Sequence, residues 1–140
     1  MARIDFYILE QAGPKARLVF ACRLAEKAWR LDNTVHVLAE DDRTARELDE
    51  LLWTFRDGSF VPHERIGAGE PESPVTIGTP GTLPGSGDLL INLSTDVPPT
   101  IDAFTRIAEL VTSDDDMRVA GRRRYSEYRK QGPELATHNV

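Results

Sequence analysis

A run of basic side chains near the C-terminus is the part of this sequence best suited to bind another molecule. Residues 117–130 read MRVAGRRRYSEYRK, with six Arg or Lys against one Glu, a net +5 that leaves −11 for the rest of the chain. If this segment is a helix, steps of four, three and four residues place four side chains along one of its faces. This arginine stripe consists of Arg118, Arg122, Tyr125 and Arg129. Because arginine forks pair with carboxylates and a tyrosine ring adds a flat apolar contact, this arginine stripe favours a short ligand that combines acidic groups with a hydrophobic end.

Two other interpretations of the arginine stripe remain open. Its arginines can pair with Asp and Glu of the same domain, which would make the helix an ordinary solvated surface. They can also attract the phosphates of nucleic acid. However, the net charge of the whole chain is −6, and the acidic remainder would repel a long polyanion. We therefore expect little or no direct binding of nucleic acid.

Large apolar side chains also continue from a predicted helix into the loop that follows it. Residues 51–63 read LLWTFRDGSFVPH and hold Trp53, Phe55 and Phe60. Loops rarely carry several aromatic side chains unless these are buried or contact a partner. The sequence is compatible with core packing of some of them and with an exposed aromatic anchor formed by Trp53 and Phe60.

Motifs for catalysis, metal binding and cofactor binding are missing. The turn after the first predicted strand reads EQAGPK rather than the glycine pattern of dinucleotide-binding turns, and the chain has no GxxxxGK[ST] segment. The three histidines, His36, His63 and His138, are far apart in sequence and lack partners at ligand spacing. Cys22 lies among apolar residues, which indicates packing rather than nucleophilic chemistry. We expect no catalytic residue, no metal and no cofactor.

Strands alternate with helices along the chain. Short apolar or β-branched runs predict strands at residues 4–9, 34–39, 75–78 and 89–93, and helical spacing predicts helices at residues 14–31, 42–53, 101–111 and 115–131. The third helix is expected to lead into a short strand near residues 109–112, and residues 55–73 to form a long connection. This order favours a single α/β domain with a mostly parallel Rossmann-like sheet and helices on both faces. The domain is expected to span residues 1–133 and to be followed by a tail at 134–140.

Acidic clusters precede two of the predicted helices. They lie at residues 40–42 and 114–116, where carboxylates favour the exposed amides and the positive end of a helix. Capping by Asp41 or Asp42, and by Ser113 or Asp114, is therefore a better account of these clusters than metal binding.

Composition also limits where the protein can work. The chain has 140 residues, of which 40% are hydrophobic and 29% charged, as in one soluble domain. No run approaches the roughly 20 apolar residues of a membrane span, and no signal-like segment precedes the first strand. A single cysteine agrees with a reducing compartment. We expect a cytoplasmic protein that does not associate with membranes.

The aromatic segment at residues 51–63, which we call the aromatic loop, and the arginine stripe that follows it later in the chain together resemble the chi subunit of the bacterial DNA polymerase III clamp-loader complex. The likeness covers nearly the whole chain, in the segments DFYIL, LAEKAW, VHVLAEDDRTARELDELLWTF, GSFVPH, SPVTIG, DLLINL and RRRYSEYRKQG. Two patterns together distinguish this family: the pair LDELLW and SFVPH, and RxRYxxYR in the last helix. The resemblance implies a noncatalytic adaptor of DNA replication whose α/β fold is related to nucleotide-binding domains but binds no nucleotide.

The resemblance further implies a surface for the acidic, hydrophobic C-terminal tail of single-stranded DNA-binding protein (SSB). The family uses basic residues and a tyrosine of the last helix there, with an apolar contribution from the preceding strand. Matched to this sequence, these are Val111, Arg118, Arg122 and Tyr125, and Arg129 continues the stripe.

A second surface is implied for the psi subunit, which links chi to the clamp loader. It includes Trp53 and Phe60, with Val61 beside them. Because some relatives use the same surface for a helicase-like partner, an adaptor for a helicase-like repair protein is the alternative function. A nucleotide-binding enzyme on a Rossmann-like scaffold is a further alternative.

Two positions depart from the family pattern. Ser126 follows Tyr125 where family members carry a lysine, and Gly121 interrupts the helix where a better helix former is expected. Arg123 or Arg124 would compensate for the missing charge if either pointed toward the same ligand.

Overall fold

The chain folds around one parallel β-sheet. The computed structural model describes residues 2–66 and 71–140. In this part the strands are β1 (Arg3–Ile8), β2 (Val35–Leu38), β3 (His63–Arg65), β4 (Val75–Gly78), β5 (Gly87–Asn92), β6 (Phe104–Val111) and β7 (Glu134–Asn139), and the helices are α1 (Pro14–Arg30), α2 (Asp42–Thr54) and α3 (Asp115–Gln131). The strand order is β3-β4-β2-β5-β6-β1-β7, and neighbouring strands are parallel. The predicted α/β class and Rossmann-like sheet are confirmed.

Helices cover both faces of the sheet. On one face α1 and α2 bury a cluster that includes Leu18, Leu48, Val37, Ile91 and Leu110. On the other face α3 covers a cluster that includes Ile4, Phe6, Leu90, Ile107 and Tyr128. Because central strands are buried on both faces, their sequences are nearly continuous apolar runs, as in VHVL of β2 and LLI of β5.

The helix predicted at residues 101–111 is wrong. A 3₁₀ turn, Ile101–Ala103, leads directly into β6, which lies between β5 and β1. Both faces of β6 are covered, so its apolar residues do not alternate with polar ones, and Ile107, Ala108 and Val111 imitate helical spacing. The short strand expected at residues 109–112 overlaps the end of β6.

The tail predicted at residues 134–140 is also wrong, because this segment forms the edge strand β7. It pairs with β1 from Arg3 opposite Glu134 to Ile8 opposite Asn139. Its partly exposed position gives it a mixed sequence without a strong apolar pattern. The sheet therefore extends to residue 139, six residues beyond the predicted end of the domain.

The predicted connection at residues 55–73 contains the other edge strand, β3, and residues 67–70 of it lie outside the described part of the chain. β3 has three residues and begins at the last residue of the aromatic loop. Asp41 caps α2 as expected, since its Oδ1 accepts the Thr44 N–H at 2.8 Å. Among the described residues, no helix is both long and apolar enough to cross a membrane.

Candidate functional site

A cavity beside α3 brings together four of the residues predicted for tail binding. It has a volume of about 330 Å³ and opens near the β7 edge of the sheet. Its lining residues are Phe6, Ile8, Val111, Arg118, Gly121, Arg122, Tyr125 and Thr137. We call this the α3 cavity. Its walls come from α3 and from the strands β1, β6 and β7, so regular elements set its shape.

Gly121 explains how α3 lies so close to the sheet. A Cβ atom at this position would be 2.9 Å from Cγ2 of Val111, which is shorter than normal packing of carbon atoms allows. Glycine in a helix costs about 1 kcal/mol relative to alanine. Here it permits α3 to pack directly on β6, so the departure from the expected helix former has a structural reason.

Aromatic packing fixes the tyrosine of the cavity. The Phe6 ring lies 5.3 Å from the Tyr125 ring and 5.9 Å from the Tyr128 ring, both edge to face. Such geometry is favourable for aromatic pairs and limits ring movement. Tyr125 is half-buried and lines the cavity, whereas Tyr128 is fully buried between α3 and the sheet.

The arginines of the cavity are available to a ligand. Arg118 and Arg122 are exposed, and neither forms an ion pair with any Asp or Glu among the residues described. The interpretation in which these two arginines neutralise the domain's own carboxylates is thus not supported. Arg129 is exposed on the same helix but does not line the cavity; it lies seven residues after Arg122, about 10 Å along the axis.

Arg124 has a different role, because it is buried in an internal network. Its Nε donates to Oε1 of Glu109 at 2.8 Å, and the Tyr128 hydroxyl and the Asn92 amide donate to Oε2 of Glu109. Burial raises the pKa of the Tyr128 phenol far above its ordinary value, so the hydroxyl remains a donor. This network holds α3 on the sheet. Arg123 and Arg124 face a separate cavity, so neither replaces the lysine missing at Ser126.

At the end of the sheet where Rossmann-like folds bind nucleotides, a carboxylate of the chain itself binds the turn that follows β1. β1 and β6 are neighbours whose following helices cover opposite faces, the arrangement that creates such a site. Asp114 Oδ2 accepts the Gly13 N–H at 3.0 Å and the Thr112 hydroxyl at 2.7 Å. The Gly13 N–H lowers the pKa of Asp114. Asp114 is the N-cap residue of α3, as predicted, but its side chain accepts these two bonds and none from an amide of the helix.

A second exposed feature lies near the opposite edge of the sheet. The side chains of Trp53, at the end of α2, and Phe60, in the following loop, are 48% and 65% exposed. Their ring centroids are 5.5 Å apart, and the Trp53 ring lies 4.4 Å from that of His63 in β3. We call Trp53 and Phe60 the aromatic surface. Phe55, by contrast, is partly buried against the core.

Val61 does not belong to the aromatic surface. Its side chain is 0% exposed and packs in the core under α1 and α2. The prediction that Val61 contacts a partner is therefore wrong. Its side chain points into the core, although that of its neighbour Phe60 is exposed. Its carbonyl oxygen lies 2.6 Å from Nδ1 of His63, so Val61 helps to anchor the loop instead.

His36 and Cys22, two other residues whose side chains could take part in chemistry, are both buried. His36 is buried, with Nδ1 2.7 Å from the Thr76 hydroxyl. Burial raises the pKa of the Cys22 thiol to about 12, so the thiol stays protonated. In residues 2–66 and 71–140, no group of three or more His, Cys, Asp or Glu side chains is arranged to hold a metal ion.

The sequence does not identify four of the eight lining residues of the α3 cavity, namely Phe6, Ile8, Thr137 and Gly121, the last of which it marks only as an interruption of the helix. Phe6 and Ile8 lie on one face of β1, and their alternation within a predicted strand was the available signal. Thr137 lies in β7, which has no pattern that distinguishes it from a tail. Only the pairing of β7 with β1 brings Thr137 to the cavity.

A solved structure of another protein shares this fold. The crystal structure of T4 UvsW matches with a TM-score of 0.73 and 10% identity, over 99% of this chain. The match spans 41% of the UvsW chain. At this identity the likeness shows the fold alone.

Sequence comparisons give the family. The family model described as DNA polymerase III chi subunit, HolC, matches residues 1–136. The chain is 43% identical to DNA polymerase III subunit chi of Pseudomonas aeruginosa, over 100% of this chain and 98% of the relative. It is 36% identical to the chi subunit of Haemophilus influenzae, over 97% of this chain and 96% of that one. It is 34% identical to the chi subunit of Escherichia coli, over 98% of this chain and 97% of that one. This chain belongs to the DNA polymerase III chi subunit family.

Proposed function

We propose that this protein is a noncatalytic replication adaptor, which binds the C-terminal tail of SSB in the α3 cavity and the psi subunit through the aromatic surface. The observation that supports binding of the SSB tail is the α3 cavity itself. Its floor is apolar, and the guanidinium groups of Arg118 and Arg122 at its rim have no acidic partner among the described residues.

The chemistry of the α3 cavity matches the end of an acidic chain. A terminal carboxylate pairs with Arg118 or Arg122, and the apolar side chain next to it enters the space between Val111 and Tyr125. Acidic residues further along the tail lie within reach of Arg129. Exposed ion pairs make this binding weak and sensitive to salt, and several tails on one SSB oligomer supply avidity.

The aromatic surface suits a folded protein partner better than a charged peptide. Trp53 and Phe60 present two adjacent rings that are about half exposed or more. Tryptophan and other aromatic residues at the centre of an interface commonly contribute most of the binding free energy. The psi subunit is the proposed occupant, and a helicase-like protein that uses the same rings would compete with it.

The same observations disfavour nucleotide-dependent chemistry and direct binding of single-stranded DNA. Gly13, whose N–H would face a phosphate at the end of the sheet, is already bonded to Asp114. The chain outside residues 117–130 carries a net −11, which would repel DNA that extends past α3. A short acidic peptide that binds at one point avoids that repulsion.

Titration of a synthetic SSB tail peptide tests the α3 cavity. We expect Arg122→Ala to weaken binding about tenfold or more, because a hydrogen bond between charged groups contributes roughly 1.5–3 kcal/mol. The matched control is Arg123→Ala, which removes the same charge from the adjacent exposed position outside the α3 cavity and should change the affinity less than about twofold. Equal losses for both variants would show that the net charge of the helix binds the peptide, without a defined site.

A further inference from the structure

The loop that presents Phe60 is held by side chains more than by its own backbone. Among the described residues, residues 56–61 make one backbone turn hydrogen bond, from the Ser59 N–H to the Arg56 carbonyl at 3.2 Å. Gly58 has a φ of 74°, which places it in the left-handed region that glycine tolerates best. A loop of this kind samples many conformations unless other contacts restrict it.

Glu26 supplies such contacts from α1. Its carboxylate is nearly buried; Oε1 accepts from Arg56 Nη2 at 2.6 Å, and Oε2 accepts from the Ser59 hydroxyl at 2.6 Å. The bond from Ser59 lowers the pKa of Glu26, which keeps the carboxylate charged. Arg30 lies 3.7 Å from the same oxygen as Ser59. One side chain of α1 therefore fixes the loop at two points just before Phe60.

His63 fixes the loop on the other side of Phe60. Its Nδ1 lies 2.6 Å from the carbonyl oxygen of Val61, and its Nε2 lies 2.9 Å from the carbonyl oxygen of Asp49 in α2. Val61 itself is fully buried. Both neighbours of Phe60 are thus anchored inward, while the Phe60 ring is left exposed beside Trp53.

We propose that Glu26 is a positioning residue for the partner interface: by holding Arg56 and Ser59 it keeps Phe60 exposed in a binding-ready orientation before the partner arrives. The proposal rests on the proposed role of the aromatic surface. Preorganisation of this kind strengthens binding because the loop need not be ordered at the moment of association. Glu26 acts through Phe60 and does not itself touch the partner.

Hydrogen exchange of the free protein tests the ordering step without any partner. We expect Glu26→Gln and Ser59→Ala to speed exchange at the amide of residue 59, whose bond to the Arg56 carbonyl is kept only while the loop is ordered, while exchange in β5 and β6 stays unchanged. The control is Glu47→Gln, which breaks an exposed ion pair with Arg43 on α2. Unchanged exchange in the loop of both Glu26→Gln and Ser59→Ala would overturn the proposal, and Ser59→Ala decides the matter if Glu26→Gln does not fold.

A double-mutant cycle with the purified psi subunit tests the link to Phe60. We expect Ser59→Ala and Glu26→Gln each to weaken psi binding about fivefold, and to have almost no effect when Phe60 is already alanine. A loss of equal size in the Phe60→Ala background would contradict a role through Phe60. If wild-type protein fails to bind psi, the proposed partner is wrong, and the exchange experiment alone decides whether Glu26 orders the loop.

Discussion

The α3 cavity and the aromatic surface lie toward opposite edges of the same sheet and are built by different means. The α3 cavity is concave and basic, and regular elements in close contact define it, with Gly121 packed against Val111. The aromatic surface is exposed and apolar, and part of it is a loop that side-chain hydrogen bonds hold. The comparison teaches that packing sets the shape of one site, whereas a few polar contacts set the shape of the other.

This difference predicts that the two sites can be disabled separately. The largest effect is expected for Trp53→Ala, because truncation of a central aromatic residue commonly costs at least about 2 kcal/mol, or roughly thirtyfold in affinity. Psi binding should fall by that amount in calorimetry, and Phe60→Ala should give a smaller loss. Binding of the SSB tail peptide should stay at the wild-type value. Loss of both ligands in either variant would show that the two sites are not independent.

The reverse experiment alters the packing of the α3 cavity. In Gly121→Ala the new methyl group would lie 2.9 Å from Val111, so α3 must shift outward. We expect the affinity for the tail peptide to fall about tenfold, while the gain in helix propensity, about 1 kcal/mol, offsets part of the lost packing in the free energy of unfolding. Peptide titration and thermal unfolding measure the two quantities. Unchanged peptide affinity would mean that the spacing between α3 and β6 does not shape the site.

Salt separates the two sites by their physical chemistry. The exposed arginines of the α3 cavity are screened at high ionic strength, whereas burial of the two rings of the aromatic surface is not. Between low salt and about 0.5 M NaCl we expect the tail affinity to fall about fivefold and the psi affinity to change less than about twofold. Parallel titrations over a salt series measure both slopes. Equal dependence of the two affinities on salt would contradict the claim that only the α3 cavity binds through exposed charges.

The smallest expected effect serves as a control on the fold. Burial raises the pKa of the Cys22 thiol to about 12, so at pH 8 the folded protein should react very slowly with a thiol reagent such as dithiobis(nitrobenzoic acid). Trp53→Ala, Phe60→Ala and Arg122→Ala should keep this protection, and denaturant should abolish it. If Cys22 reacted rapidly in one of these variants, the variant would have lost binding because its core opens, and not because a contact with the ligand was removed.

Local patterns predicted the parts of each site that belong to one element. Helical spacing placed Arg118, Arg122 and Tyr125 on one side of α3, and the structure brings them together at one cavity. The sequence does not determine the exposure of Trp53 and Phe60, because an aromatic residue near a helix end packs inward or outward according to neighbours that are distant in sequence.

The errors arose where distant strands decide the structure. Residues 101–111 carry helical spacing, but insertion of β6 between β5 and β1 makes them a strand. Thr137 joins the α3 cavity only because β7 pairs with β1 in one register. Val61 points inward because its loop closes over the core beneath α1. None of these relations has a signal within one short segment of sequence.

Chemical-shift mapping with an isotopically labelled chain and the SSB tail peptide tests the central claim most directly. The account predicts that saturating peptide shifts the signals of residues around the α3 cavity, including Ile8, Arg122 and Thr137, and leaves those of Trp53 and Phe60 in place. A peptide with an amidated C-terminus should shift the same signals less. Shifts confined to the aromatic surface, or spread along α3 without Ile8 and Thr137, would contradict the claim that this cavity receives the end of the tail.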